Sequence, residues 1–259
     1  MLYHFFDYID QEFDLFGVGV FQYISFRAGL AVLISLLITI AFGQRLINVL
    51  KAFQLGESIR DLGLSGQMEK QGTPTMGGII ILLGIIIPTL LFADLTNIYI
   101  LLLIISAIWM GTIGFIDDFL KIKKKNKDGL RGKFKIIGQV GLGLLVGGTM
   151  VFHPDIVVRE FSSNDISLFS DIKSSATTIP FFKNNEFQYS WLLPEFLSEY
   201  AWVVYILMVT FIVTAVSNGV NITDGIDGLA AGTTAIIALS LAILAYLSGN
   251  VIFSNYLNI

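Results

Sequence analysis

Six stretches of this chain, 28–44, 71–93, 95–116, 136–154, 200–223 and 228–259, each run for 17 residues or more without one Asp, Glu, Lys or Arg. A helix crosses the hydrocarbon core of a bilayer with about 20 mostly apolar residues. Charge is correspondingly scarce, at 14% of the 259 residues, where a soluble domain carries about 25%. Hydrophobic side chains make up 54%, with Phe alone occurring 21 times. A soluble enzyme has no interior large enough for that surface, and a disordered chain is excluded by the same numbers. The expected class is an all-α, polytopic membrane helix bundle forming a single membrane domain over 1–259.

Trimmed to their apolar centres, the runs predict spans near 22–42, 75–93, 97–116, 134–153, 200–217 and 230–248. Arg27 falls inside the first and can snorkel to an interface. The stretches 43–74, 117–135 and 218–229 hold 12 Lys and Arg together, and 1–21, 94–97, 154–199 and 249–259 hold 3. The positive-inside rule therefore places the first set in the cytoplasm and the amino terminus outside. The first 20 residues lack Lys and Arg, so no signal-peptide n-region is present. The outer segment 154–199 has seven acids and room for a small hairpin or cap. Gly143 and Gly147 have the small-xxx-small spacing of closely packed helices. Within one chain that spacing reports packing and not a dimer.

Chemistry is narrowed by what is missing. With no cysteine and only His4 and His153, thiol nucleophiles and zinc–thiolate sites are absent. Three polar clusters remain, all on the basic side. Asp117-Asp118 follows the apolar run Ile113–Ile116, and two carboxylates at a membrane boundary lose hydration. The carboxyl end of a helix is itself negative, so a metal ion, a lysine or both should compensate them. An ordinary interfacial helix cap is the alternative.

The second cluster is Asn221-Ile222-Thr223-Asp224-Gly225-Ile226-Asp227-Gly228. On helical or 3₁₀ backbone its polar residues recur every third position and share one face, with Gly225 and Gly228 leaving space for a ligand. Two Asp-Gly pairs also mark turns. The third is Lys70-Gln71-Gly72-Thr73-Pro74-Thr75-Met76-Gly77-Gly78. Thr73 suits an N-cap and Pro74 the first helical position, which would point free backbone N–H groups at an anion such as phosphate. The basic stretch Lys121 to Lys135 serves topology and lipid attraction. A nucleic-acid partner is disfavoured because no stacking aromatics interleave it. Carboxylates without thiol or imidazole suit Mg²⁺ bridging phosphates, and together the parts point to phosphoryl transfer from a soluble nucleotide to a lipid head group.

In combination, Lys70 with Gly72-Thr-Pro-Thr-Met-Gly-Gly78, Asp117-Asp118-Phe-Leu-Lys121 and Asn221-Ile-Thr-Asp-Gly-Ile-Asp-Gly-Leu-Ala230 resemble the phospho-N-acetylmuramoyl-pentapeptide-transferases. These are a peptidoglycan branch of the polyprenyl-phosphate N-acetylhexosamine-1-phosphate transferases. The resemblance implies transfer of phospho-MurNAc-pentapeptide from UDP-MurNAc-pentapeptide to undecaprenyl phosphate with Mg²⁺, giving lipid I and UMP at the cytoplasmic face of a bacterial inner membrane. It implies Asp117 and Asp118 as the catalytic pair, by base, orienting or nucleophilic action. Asn221, Asp224 and Asp227 would line the nucleoside–diphosphate pocket, with Asp118 and Asp224 at the metal. Lys70 and Thr75 would contact the donor, and Lys121 and Lys133 would neutralise phosphate. Members of the family resemble ten-span proteins and homodimers, with a later metal-binding Asp and a histidine cluster for which neither His4 nor His153 substitutes. The expectation is a fragment that turns over poorly alone. The alternatives are a GlcNAc-1-phosphate transferase acting on polyprenyl phosphate, an ion transporter, or a non-catalytic membrane fragment.

Overall fold

The computed structural model describes residues 2–13, 17–52, 75–124, 129–161, 169–179 and 186–257. In chain order the helices and strands are α1 (Leu2–Phe13), α2 (Ile24–Ala52), α3 (Gly78–Phe92), α4 (Ile98–Lys124), α5 (Gly132–Phe152), β1 (Val158–Phe161), β2 (Phe169–Ile172), β3 (Ala176–Thr178), β4 (Glu186–Gln188), α6 (Ala201–Thr223), α7 (Leu229–Ser248) and α8 (Val251–Leu257). Five segments are long and apolar enough to cross a bilayer: α2, α4, α5, α7 and α6 with the 3₁₀ turn before it. The sixth apolar run forms α3, a shorter helix of 15 residues. The architecture is an all-α polytopic membrane bundle. Leu33, Leu36, Leu37 and Ile40 along α2 are all more than half exposed, as side chains are when lipid replaces water as solvent.

Helix ends depart from the apolar runs in an informative way. A run stops at its first charge, whereas Asp and Lys continue a helix readily once it leaves the hydrocarbon. So α4 extends to Lys124, with Lys121, Lys123 and Lys124 in its last turn, where cations complement the negative helix end. Asp117 and Asp118 thus lie inside the helix rather than at its end. Likewise α6 runs on to Thr223. By contrast α3 starts later than predicted. Met76 adopts a left-handed φ of 70°, Gly77 is the N-cap, and the first helical residue is Gly78. The expected cap Thr73 and first-turn Pro74 lie outside the described residues.

The chain divides into two compact units, 1–138 and 139–259. In the first, α2, α3 and α4 pack through small residues. A Cβ on Gly84 would stand 3.2 Å from Thr39 Oγ1, and one on Gly111 only 2.5 Å from Leu82 Cδ1. The amino-terminal two turns of α5 join α4 where the Trp109 indole N–H donates to the Gly138 carbonyl at 2.9 Å. Phe6 of α1 stacks on Phe21 at 3.9 Å between centroids.

In the second unit α5 meets α6 at the predicted glycine pair. A Cβ on Gly143 would fall 2.5 Å from Thr210 Cα, and one on Gly147 3.2 Å from Ile206 Cα. Between these helices in the chain, β1 pairs antiparallel with β2 and β3 with β4. In β1–β2 Arg159 pairs with Asp171, and in β3–β4 Thr177 pairs with Phe187. The Arg159 guanidinium donates to both Asp171 oxygens at 2.8 and 2.9 Å. Buried Tyr189 takes the Thr177 hydroxyl at 2.8 Å and sets its ring edge-on to Tyr205 of α6, which ties the second hairpin to the bundle.

Close helix approach at Gly143 makes a sharp expectation. Gly143→Ala forces a methyl into the α6 backbone and should lower stability by about 1–3 kcal/mol. Gly148→Ala, with nothing within 4 Å of its Cβ, should be neutral. Thermal unfolding of the two variants in the same detergent checks the contrast.

Candidate active site

The predicted carboxylate pair is asymmetric. Asp117 is buried, at 8% exposure, and both its oxygens are occupied. Oδ1 accepts the Leu130 backbone N–H at 2.7 Å and lies 2.9 Å from Lys135 Nζ. Oδ2 lies 2.8 Å from Lys121 Nζ. A desolvated carboxylate is tolerated only when it is paired and hydrogen-bonded, and these three donors meet that demand. The compensation expected from the sequence is thus supplied by lysines of the chain itself.

Asp118 is half-buried and meets Lys121 alone, at 3.0 Å through Oδ1. Its Oδ2 carries no contact among the described residues. Asp118 also borders a cavity of about 260 Å³ lined by Met76, Gly78, Leu82, Gly111, Gly114 and Phe115. The third sequence cluster therefore reaches the first within this unit, because Met76 and Gly78 close one side of the space that Asp118 faces. The positive end of α3 sits at Gly77-Gly78, so a polar ligand here would find helix-terminal N–H groups opposite an open carboxylate oxygen. Thr75 lies three residues before the helix and is half-buried, while Lys70 falls outside the described residues.

Two residues escaped the sequence reading. Lys133 was expected to neutralise phosphate, yet it is exposed, and Lys135 is the one that reaches Asp117. The start of α5 at Gly132 sets that phase, and no apolar pattern reveals it. Gly129 is the second. A Cβ there would stand 2.3 Å from Asp117 Oδ1 and 2.9 Å from Lys121 Cε, so the returning loop closes on the aspartate only because that residue lacks a side chain.

In the second unit Asn221, Asp224 and Asp227 do not share one helical face. Asn221 is in the last turn of α6, and Asp224 is its C-cap, the N–H donating to Val220 O at 3.0 Å. Asp227 lies in the turn that follows. Gly228, at φ 81°, is the N-cap of α7, a conformation that favours glycine. The Asp-Gly pairs thus build the reversal between two helices, and all three polar side chains are exposed on it. One turn earlier, the buried Gln139 of α5 donates to Ser217 Oγ at 2.9 Å and accepts from Asn218 Nδ2 at 3.0 Å. A polar residue inside an apolar span is the sequence signal for such a lock.

Among the described residues no three carboxylates or imidazoles gather as a ready-made metal cage. What is present is an oxygen donor set with one open carboxylate at Asp118. This fits an ion such as Mg²⁺, which takes one or two protein carboxylates and fills its shell with water and phosphate.

Loss of one donor should separate the two lysines. Lys135→Met leaves a buried carboxylate short of a partner and should destabilise by about 1–3 kcal/mol, whereas Lys133→Met should stay within about 0.5 kcal/mol. Chemical or thermal unfolding of both variants measures the difference.

Residues 100–257 match the profile of glycosyl transferase family 4, and residues 70–82 match phospho-N-acetylmuramoyl-pentapeptide-transferase signature 1. The phospho-N-acetylmuramoyl-pentapeptide-transferase of Flavobacterium psychrophilum is 57% identical over 273 aligned positions, covering 100% of this chain and 67% of the relative. That of Amoebophilus asiaticus is 58% identical over 268, covering 100% and 66%. That of Flavobacterium johnsoniae is 53% identical over 274, covering 100% and 67%. The chain spans about two thirds of the length of these curated relatives. Along its whole length it belongs to the phospho-N-acetylmuramoyl-pentapeptide-transferase family, a branch of glycosyl transferase family 4.

Proposed function

We propose that the chain serves the transfer of phospho-MurNAc-pentapeptide from UDP-MurNAc-pentapeptide to undecaprenyl phosphate, forming lipid I and releasing UMP. The relatives carry the name of that transferase. The single observation that supports it most is the open oxygen of Asp118 beside a cavity edged by the Met76-Gly77-Gly78 helix start. An acceptor phosphate oxygen attacks the sugar-side phosphorus of the diphosphate, the new P–O bond forms, and the bond to the uridine-side phosphate breaks with UMP taking the electron pair.

The residues divide this work. A phosphate monoester is already largely ionised near neutral pH, so Asp118 has little proton to remove and acts chiefly in orienting the acceptor. Asp117, saturated by its donors, positions Lys121 and Lys135, and Lys121 offsets charge on the transferring phosphate. Lys70, Thr75 and Lys133 are assigned to donor phosphate, and Asn221, Asp224 and Asp227 to the nucleoside diphosphate. Asp118 would be a ligand for Mg²⁺, and Asp224 is assigned to the metal on the family resemblance; when bound, the ion would neutralise the diphosphate and favour departure of UMP. The basic stretches 43–74 and 117–135 support a cytoplasmic active face in a bacterial inner membrane. A homodimer is proposed on the family resemblance.

The test combines UMP release with calorimetric binding of UDP-MurNAc-pentapeptide in the presence and absence of Mg²⁺. Asp118→Asn should lower UMP release at least about a hundredfold while the chain still folds. Binding should depend on Mg²⁺, and Asp224→Asn should weaken it. UDP-GlcNAc offered in parallel should release no UMP. Release unaffected by Asp118→Asn would overturn the assignment, and release from UDP-GlcNAc alone would assign the chain to the sister transferases.

A further inference from the structure

At the other end of the first unit, far from Asp118, lies a cavity of about 590 Å³ between α2, α3 and α4. Asn97 precedes α4 and Asp117 comes 20 residues later, a separation of about 30 Å along a helix, which is about the thickness of a bilayer core. The two cavities therefore belong to opposite leaflets. The large one is lined by apolar side chains including Ala31, Ile85, Leu103 and Ala107, with two charged residues, Arg27 and Asp94. Its volume falls in the range of roughly 300–1,000 Å³ typical of ligand pockets.

The charges are incompletely used. Arg27 lies in the first turn of α2, where the helix dipole disfavours a cation. One of its terminal nitrogens donates to Phe92 O at 3.3 Å, and its guanidinium carbon lies 4.1 Å over the Tyr3 ring. Its Nε is buried with no acceptor among the described residues, a costly state for a charged donor. Asp94 receives the Thr96 hydroxyl at 2.7 Å, the Thr96 N–H at 3.0 Å and His4 Nε2 at 3.4 Å, all on Oδ1. Those contacts leave Oδ2 unused. The Thr96 hydroxyl bond holds the Asp94 carboxyl below its ordinary value despite partial burial, so it is an anion at neutral pH. A cation and an anion thus border one apolar recess without pairing with each other.

An apolar recess inside a bilayer is filled by hydrocarbon, and the two charges that border it specify the head group. We propose that this recess binds one zwitterionic aminophospholipid, its phosphate at Arg27, its ammonium at Asp94 and an acyl chain between α2, α3 and α4. A phosphatidylglycerol would place the same phosphate at Arg27 but offer Asp94 only neutral glycerol hydroxyls in place of an ammonium, so Asp94 discriminates between the two lipids.

Native mass spectrometry of the full chain in mild detergent, titrated with palmitoyl-oleoyl phosphatidylethanolamine or phosphatidylglycerol, tests this. The expected result is one phosphatidylethanolamine per chain, bound at least about tenfold tighter than phosphatidylglycerol. Arg27→Gln should weaken retention of both lipids, and Asp94→Asn should remove the preference for phosphatidylethanolamine. Ala107→Phe, which fills the recess, should abolish retention, with the melting temperature confirming the fold; if this variant does not fold, the two head-group variants decide. Equal retention of both lipids by the unaltered chain would overturn the proposal. So would retention that survives a folded Ala107→Phe, or a lipid-free dimer in which a second copy covers the recess.

Discussion

A carboxylate at the edge of a hydrocarbon slab must be neutralised by its surroundings, and much of the first unit is arranged around doing this for Asp117. Lys121 comes from the next turn of the same helix, Lys135 from the first turn of α5, and the Leu130 N–H from the loop between them. Three chain segments are thereby held to one side chain. Gly129 is what lets the loop come so close. Among the described residues the arrangement leaves the adjacent Asp118 with a single cationic contact, so two neighbouring residues of identical chemistry differ in burial and in hydrogen bonding.

This division explains how a site can be assembled at a membrane face without an enclosed core. Few of the described side chains are buried, and lipid supplies the surroundings that a soluble enzyme builds for itself. Rigidity comes instead from small residues at helix contacts and from isolated polar locks. Gly84 and Gly111 set the spacing in the first unit, Gly143 and Gly147 in the second. Gln139 fastens α5 to α6 one turn before the Asn221 to Gly228 reversal.

Much of this was legible from residue order. Long uncharged runs marked the helices, because the length of hydrocarbon to be crossed leaves little choice, and the spacing of Gly143 and Gly147 identified a real contact. The three polar clusters stood out because charge and turn residues are scarce in such a chain. The failures have a common origin. Helices α4 and α6 outrun their apolar stretches because leaving hydrocarbon does not end a helix, so Asp117 and Asn221 were placed in the wrong part of their elements. The left-handed Met76 delays α3, and nothing in residue type announces that. That Lys135 reaches Asp117 was not legible, because helical phase depends on where α5 begins. Gly129 had no signal at all, since its importance is the distance to a residue twelve positions earlier. For 154–199 a small hairpin or cap was anticipated, but the strands themselves were not placed, because at three and four residues they are too short for alternation to show.

The space beside Asp118 exists chiefly because side chains are missing from the helices that border it. Gly78, Gly111 and Gly114 are among its walls, and Gly78 and Gly114 have nothing within 4 Å of where a Cβ would stand. Its bore is therefore adjustable one carbon at a time, by replacements on straight helices that leave the backbone where it is. A lineage could narrow or reshape the passage next to Asp118 without rebuilding the scaffold around it.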